Sequence, residues 1–232
     1  MRPVANVPSI DDGRALPDAR TGLDGMVAVA GVMTVERLVE AYRKGIFPWT
    51  SDPVTWWSPD PRAVLDLETI HVPRRLGVEI RRHPYRVTFD ADFDAVIEAC
   101  AAAPREEDSS WITAEFLDAY KALHRAGYAH SIELWRGDVL VAGIYGVAMG
   151  GLFAGESMFH RETNASKIAL VLLQRQLREW GFVLFDTQVV TPVTEMLGAR
   201  WISRAEYLER LGRALDVRIL PIPRNPRCHP TE

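Results

Sequence analysis

Asp186 and Gln188 stand two residues apart in Phe182–Val190, a stretch whose other residues are nearly all apolar. On extended backbone both side chains leave one face, about 7 Å apart along the chain. A carboxylate and an amide buried there cost several kcal/mol unless both are hydrogen-bonded. Either they form a structural pair, or the strand aims polar groups into a cleft. A second cluster, Gly155-Glu156-Ser157-Met158-Phe159-His160-Arg161, follows a glycine-rich strand and precedes a helix. Glu156 suits an amine there, or it merely caps the loop before the helix. Trp49, Trp56 and Trp57 crowd among prolines, and Trp111 opens another element. Tryptophans stack on flat rings and wall apolar pockets, or they pack a core. From His71 to Arg86, Arg74, Arg75, Arg81, Arg82 and Arg86 face one acid, Glu79, a local charge of +4 in a chain of net −4. That asymmetry suits a phosphate backbone, against the alternative of a solvated face.

Other chemistries lack their residues. The histidines show no HExxH spacing, and no Walker loop, GxGxxG or GxSxG is present, which speaks against zincin, dinucleotide-binding, kinase and esterase readings. Two cysteines, Cys100 and Cys228, make neither a disulfide framework nor a cysteine-rich zinc site. No metal is expected. With 27 basic and 31 acidic residues the chain is not a globally basic nucleic-acid binder. Its longest uncharged run, Val139 to Gly155, is too short and glycine-rich to span a membrane. No secretory signal is visible. A monomeric cytoplasmic protein with no membrane partner is expected.

The elements that must position these groups are readable in part. Residues 1–25 read as a loose arm. Thr34 caps a short helix with Val35, Leu38, Val39 and Tyr42 on one face and Gly45 as its stop. Prolines make 46–62 an irregular stretch. A boundary near Arg62 divides a small N-terminal domain, 1–62, from a larger one, 63–232. Beyond it, Arg86–Phe89 reads as strand, and Asp92–Ala102 and Thr113–Arg125 as helices. His130–Trp135 and Val139–Ala148 form a hairpin turned at Gly137-Asp138, followed by a short strand Leu152–Gly155. A helix opened by Asn164 or Ser166 runs to Trp180 with Leu170, Leu173, Leu177 and Trp180 as its stripe. Phe182–Val190 reads as a strand buried on both faces. Thr191-Pro192 begins a short helix ended by Gly198, and Ser203 with Glu206 caps the last one. The proline-bearing tail from Pro221 is expected to be extended. This order predicts an α+β (α/β) fold around one mixed sheet.

Taken together, Tyr42-Arg43-Lys44-Gly45-Ile46-Phe47-Pro48-Trp49, Trp56-Trp57-Ser58-Pro59-Asp60-Pro61-Arg62, Gly155-Glu156-Ser157-Met158-Phe159, Ala165-Ser166-Lys167 and Asp186-Thr187-Gln188-Val189 resemble the bacterial leucyl/phenylalanyl-tRNA–protein transferases, in order from about Val35 to Leu211. The resemblance implies an acetyltransferase-like N-acyltransferase domain behind a small N-terminal domain. It implies transfer of Leu or Phe from Leu-tRNA or Phe-tRNA to the α-amine of proteins with N-terminal Lys or Arg, a mark for degradation, with no cofactor. On that pattern Gln188 meets the attacking amine, Asp186 holds Gln188, and Glu156 binds the cationic acceptor. Trp49 and Trp111 wall the aminoacyl-adenosine end. Ile144, Phe153, Leu170, Leu173, Leu177 and Phe185 are expected to line the side-chain pocket, and Arg74, Arg75, Arg81 and Arg82 to hold the tRNA. The chain departs from the family at Asp186-Thr187-Gln188, where Asp-Cys-Gln is usual, at Gly31-Val32-Met33, at His160 and at Val193-Thr194-Glu195. Two other classes compete. An acyl-CoA-dependent N-acyltransferase needs a glycine-rich pyrophosphate loop that residues 155–165 lack. A non-catalytic tRNA- or RNA-binding module explains the arginines and tryptophans but not Asp186 and Gln188.

Overall fold

The computed structural model describes residues 7–11, 13–104 and 111–222. The proline-bearing tail lies outside this set from residue 223 onward.

The Trp/Pro-rich stretch is ordered sheet, not an irregular segment. Strands β1 (Met26–Val29), β2 (Phe47–Ser51) and β3 (Val54–Trp57) form an antiparallel sheet in the order β1-β3-β2. Pro48 is tolerated because β2 is an edge strand, where a missing N–H breaks no ladder. The central strand β3 contains no proline. Helix α1 (Val35–Arg43) joins β1 to β2. The Thr34 hydroxyl accepts from the Arg37 N–H at 3.2 Å, and Gly45 takes a left-handed turn at φ +74°.

The described part of residues 1–25 is docked, not loose. Ile10 and Leu16 are buried, Ser9 bridges to Val29, and the Leu16 N–H donates to Glu40 at 2.9 Å. Apolar side chains at those two positions give the arm something to bury, which outweighs its many charges.

The second sheet has seven strands. In chain order they are β4 (Arg62–Leu65), β5 (Arg86–Phe89), β6 (Ala129–Arg136), β7 (Val139–Met149), β8 (Leu152–His160), β9 (Leu184–Gln188) and β10 (Arg200–Ile202). Their spatial order is β10-β4-β9-β8-β7-β6-β5, and only β8 and β9 run parallel. The mixed α+β architecture is therefore as expected. Helix α5 (Ala165–Glu179) supplies the crossover that a parallel pair requires.

Helices α2 (Arg74–Arg82) and α5 share one core, with Leu76, Ile80, Leu170, Leu173 and Leu177 buried. Helices α3 (Phe93–Ala101) and α4 (Ala114–Arg125) share another with α1 and the small sheet. The two cores lie on opposite faces, because neighbours along β8 alternate: Phe153 enters the first and Ala154 the second. Helix α6 (Pro192–Met196) follows β9 behind the Thr191–Thr194 capping box. Helix α7 (Arg204–Leu215) is the last helix among the described residues, with the Ser203 hydroxyl accepting from Glu206 N–H at 3.1 Å. Glu206 does not return the bond; its carboxylate pairs with Arg210 instead. Among the described residues no helix is long and apolar enough to cross a membrane.

Candidate active site

Two sequence expectations meet where β8 and β9 part. The strands pair only from Leu152–Ala154 to Leu184–Asp186, yet β8 runs on to His160 and β9 to Gln188. The gap between the diverging ends opens a cavity. Gly155 stands at the fork, where a Cβ would come within 3.1 Å of the Phe185 ring. Glu156 is thus a residue of an extended strand and not a cap on a loop, which corrects the alternative reading of that cluster. The strand reaches nine residues because β7 offers partners along its whole length, with Ile144 opposite Met158 and Ala142 opposite His160.

Asp186 is fully buried and fully bonded. Arg62 Nε and Nη2 donate to its two oxygens at 2.9 and 2.6 Å, and the Tyr207 hydroxyl donates at 2.8 Å. Arg62, 1% exposed, is held between the rings of Phe47 and Tyr207, at 4.7 and 4.5 Å from their centroids. Burial alone would lower its pKa, but the Asp186 charge more than offsets this and keeps the guanidinium charged. The fourth bond to Asp186 comes from the main-chain N–H of Gln188, at 2.8 Å. That bond holds Gln188 in a left-handed conformation, φ +60°. Such a backbone costs a non-glycine residue on the order of 1–3 kcal/mol and persists only where surroundings enforce it. The two residues are joined through the backbone of one and the carboxylate of the other.

The Gln188 side chain turns to the opposite partner. Its Nε2 donates to Glu156 Oε1 at 2.8 Å. Tyr120 donates to Glu156 Oε2 at 3.3 Å, and Tyr42, 2.5 Å from the Tyr120 hydroxyl, also bonds this carboxyl. Burial, with the nearby Asp186 charge adding to it, pushes the Glu156 pKa up to about 7, although these hydroxyls and Arg62 pull it down. Burial holds all three tyrosines well above the ordinary phenol range, so they remain donors. One amide residue therefore spans two carboxylates, one locked in an ion pair and one poised between protonation states.

Two hollows share this bridge in their linings. One, about 170 Å³, is walled by Phe47, Pro48, Trp49 and Trp111, with Glu156 and Gln188 also in its lining. The other, about 350 Å³, has Ile144, Met158, Leu170 and Phe185 as its apolar lining and shares Trp111, Glu156 and Gln188 with the first. Trp49, Trp111, Ile144, Leu170 and Phe185 are thus all brought to the cavity. Phe153, Leu173 and Leu177 are not. Phe153 lies two residues below Gly155, where β8 and β9 are still paired, with its ring 5.5 Å from Phe185. Leu173 and Leu177 share the stripe of Leu170 but sit about 4.5 and 10.5 Å farther along the α5 axis, inside the core.

Arg74, Arg75, Arg81 and Arg82 are all exposed on α2, a helix where the sequence by itself shows only a basic stretch. Leu76 and Ile80 anchor the helix, and Glu79 accepts from Asn164 at the start of α5 at 2.9 Å. Among the described residues no three His, Cys, Asp or Glu side chains converge as metal ligands.

Sequence reasoning does not find Arg62, Tyr42, Tyr120 and Tyr207 as site residues. A buried carboxylate demands a cation, and Arg62 ends the Trp/Pro-rich block, but nothing local ties it to a strand 124 residues away. Met158 and Thr187 are further cavity residues without a signal of their own, although both lie within the blocks that carry the resemblance.

Comparisons with known proteins place the chain in a family. Residues 64–212 match the family model "Leucyl/phenylalanyl-tRNA protein transferase", and residues 31–60 match the model of its N-terminal domain. The leucyl/phenylalanyl-tRNA–protein transferase of Pseudomonas fluorescens (strain Pf0-1) is 53% identical over 83% of this chain and 86% of that protein. Its counterpart in Azotobacter vinelandii is 48% identical over 84% of this chain and 87% of that protein. Among solved structures, L-PGS from Bacillus licheniformis aligns with a TM-score of 0.41 and 13% identity over 82% of this chain and 73% of its own. A GCN5-related N-acetyltransferase from Kribbella flavida aligns with a TM-score of 0.36 and 14% identity over 76% and 64%. With half of its residues shared over more than four-fifths of its length, and both parts of one family pattern matched in order, the chain belongs to the leucyl/phenylalanyl-tRNA protein transferase family.

Proposed function

We propose that this enzyme moves Leu or Phe from aminoacyl-tRNA to the α-amine of proteins that begin with Lys or Arg, marking them for degradation, and that it works in the cytoplasm, where charged tRNA is made. The observation that carries this reading is the Gln188 bridge in the lining of a largely apolar cavity. Its Nε2 is committed to Glu156 and its main-chain N–H to Asp186. The amide carbonyl oxygen is the group left to accept a hydrogen bond from an incoming amine.

The ester that joins an amino acid to tRNA is already activated, so the protein need only orient two groups and pass one proton. The amine nitrogen bonds to the carbonyl carbon, the carbon–oxygen bond to the terminal ribose breaks, and the amine proton ends on the ribose oxygen. Orientation supplies much of the acceleration. An amide is a weak base, so Gln188 acts by holding the lone pair on course. Asp186, fixed by Arg62, keeps the Gln188 backbone in its strained turn. Glu156, once ionised, favours a cationic residue at the acceptor's N-terminus. Ile144, Leu170 and Phe185 receive the donor's side chain, Trp49 and Trp111 wall its adenosine, and Arg74, Arg75, Arg81 and Arg82 meet tRNA phosphates.

The test is product formation from labelled Phe-tRNA with peptides starting in Lys, Arg, Ala or Glu. Labelled Lys- and Arg-peptides, with Ala and Glu peptides unlabelled, are the expected result. Retention of tRNA without any labelled peptide would replace the transferase with an RNA-binding module.

A further inference from the structure

We propose that Thr187 binds the α-amine of the donor's aminoacyl group, so that the enzyme takes aminoacyl-tRNA with a free amine and refuses N-acylated donors. This rests on reading the larger cavity as the donor site. Along β9 the cavity wall runs from Phe185 through Thr187 to Gln188. An aminoacyl ester has the same order of groups. Its side chain belongs against Ile144, Met158, Leu170 and Phe185, and its carbonyl belongs at Gln188. The amine lies on the carbon between them, and the wall there is Thr187.

Of the other polar groups in this lining, the Ser157 hydroxyl and the Gln188 carbonyl face the donor's ester end on this reading, and the rest are engaged. The Thr191 and Thr194 hydroxyls bond each other and the turn that starts α6, at 2.8 to 3.2 Å. Gln188 Nε2 is bonded to Glu156. Thr187 Oγ1, by contrast, is buried with no hydrogen-bond partner. A hydroxyl left so is costly, and the cost is recovered when a ligand N–H arrives. No bond holds its χ1, so a 120° rotation that carries the hydroxyl to the place where the methyl now stands breaks none. N-acylation would remove N–H donors and add bulk against the wall between Phe185 and Gln188.

The experiment measures transfer to an Arg-starting peptide from Phe-tRNA and from N-acetyl-Phe-tRNA, using the full-length protein and its Thr187→Val and Thr187→Ser variants. The parent should favour the free donor by at least about tenfold in kcat/KM, the scale of one hydrogen bond to a charged group. Thr187→Val should lower transfer from Phe-tRNA several-fold and leave the acetylated donor unchanged, and Thr187→Ser should restore the preference. A parent preference that Thr187→Val leaves untouched would assign the refusal to bulk and overturn the role of Thr187. Equal losses for both donors would make the residue structural, and equal use of both donors by the parent would overturn the proposal outright. A parent that forms no product from Phe-tRNA would instead overturn the transferase reading beneath it.

Discussion

Removing Arg62 leaves a buried carboxylate with no cation, and removing the Asp186 charge leaves a buried guanidinium; each half is worse than the pair or its absence. Arg62→Met and Asp186→Asn should therefore each lower stability by about 3–5 kcal/mol, read as a drop in the chemical-denaturation midpoint. Asp186→Asn should also slow transfer, because the Gln188 turn loses its acceptor. Wild-type stability in both variants would show that the pair contributes nothing to holding the site. Glu156 titrates differently. Between about pH 4.5 and 7 the folded state keeps a proton that the unfolded chain has released, so this group's contribution to stability falls as pH rises through that window. Activity should move the other way, since on the proposed reading it is the ionised form that meets a cationic acceptor. A log kcat/KM profile for an Arg-starting peptide should rise towards pH 7. In Glu156→Gln that limb should vanish, leaving only titration of the acceptor's amine near 8. An identical profile in the variant would remove Glu156 from acceptor binding. Asp186 and Gln188 are legible in the sequence because a two-residue spacing in an apolar strand is local information. Arg62 and Tyr207 are not, because the pairing that satisfies Asp186 forms only when β4 and α7 close on β9.

Strong local signals carry most of the elements. Thr34, Asp92 and Ser203 cap their helices with hydrogen bonds to the expected turn, and Gly137 turns the β6–β7 hairpin at φ +58°. Thr113 stands at the expected position but bonds Ser51 and Glu115 instead of the helix backbone. The elements that escape a sequence reading share a cause. The β2–β3 hairpin is hidden by prolines that edge and turn positions tolerate, and the far half of β8 by a sequence without alternation. Helix α2 is obscured by Pro73 and Gly77 and by a cap with no side-chain acceptor; it stands on Leu76 and Ile80 packed against the α5 core. Its exposed arginines can be tested as one surface. Reversing the charge of Arg74, Arg75, Arg81 and Arg82 together should weaken tRNA binding. It should also flatten the dependence of log K on log salt, by roughly 0.9 or less for each phosphate that the variant no longer neutralises. Filter-binding titrations across a salt series measure this. A parallel line with the parent's slope would move the tRNA site to another face.

At the scale of the whole molecule the site is a seam. The small sheet supplies Phe47, Pro48 and Trp49, α1 supplies Tyr42, α4 supplies Tyr120, and the large sheet supplies Glu156, Asp186 and Gln188. Tyr42 and Tyr120 lie in one buried cluster with residues of both sheets, so the wall beside the amide and the strands that carry it are fixed by common packing. On the proposed reading, a protein with no strong base at its centre catalyses by orientation: Asp186 holds the Gln188 backbone and Glu156 its Nε2, leaving the amide oxygen for the substrate. The most direct test is a single-turnover measurement of Phe transfer from Phe-tRNA to an Arg-starting peptide by Gln188→Ala, with tRNA affinity measured on the same preparation. The account predicts a loss of transfer of at least about a hundredfold, as for removal of an orienting or charge-stabilising group, with tRNA affinity near that of the parent. Transfer at the parental rate by a folded, tRNA-binding Gln188→Ala protein would contradict it.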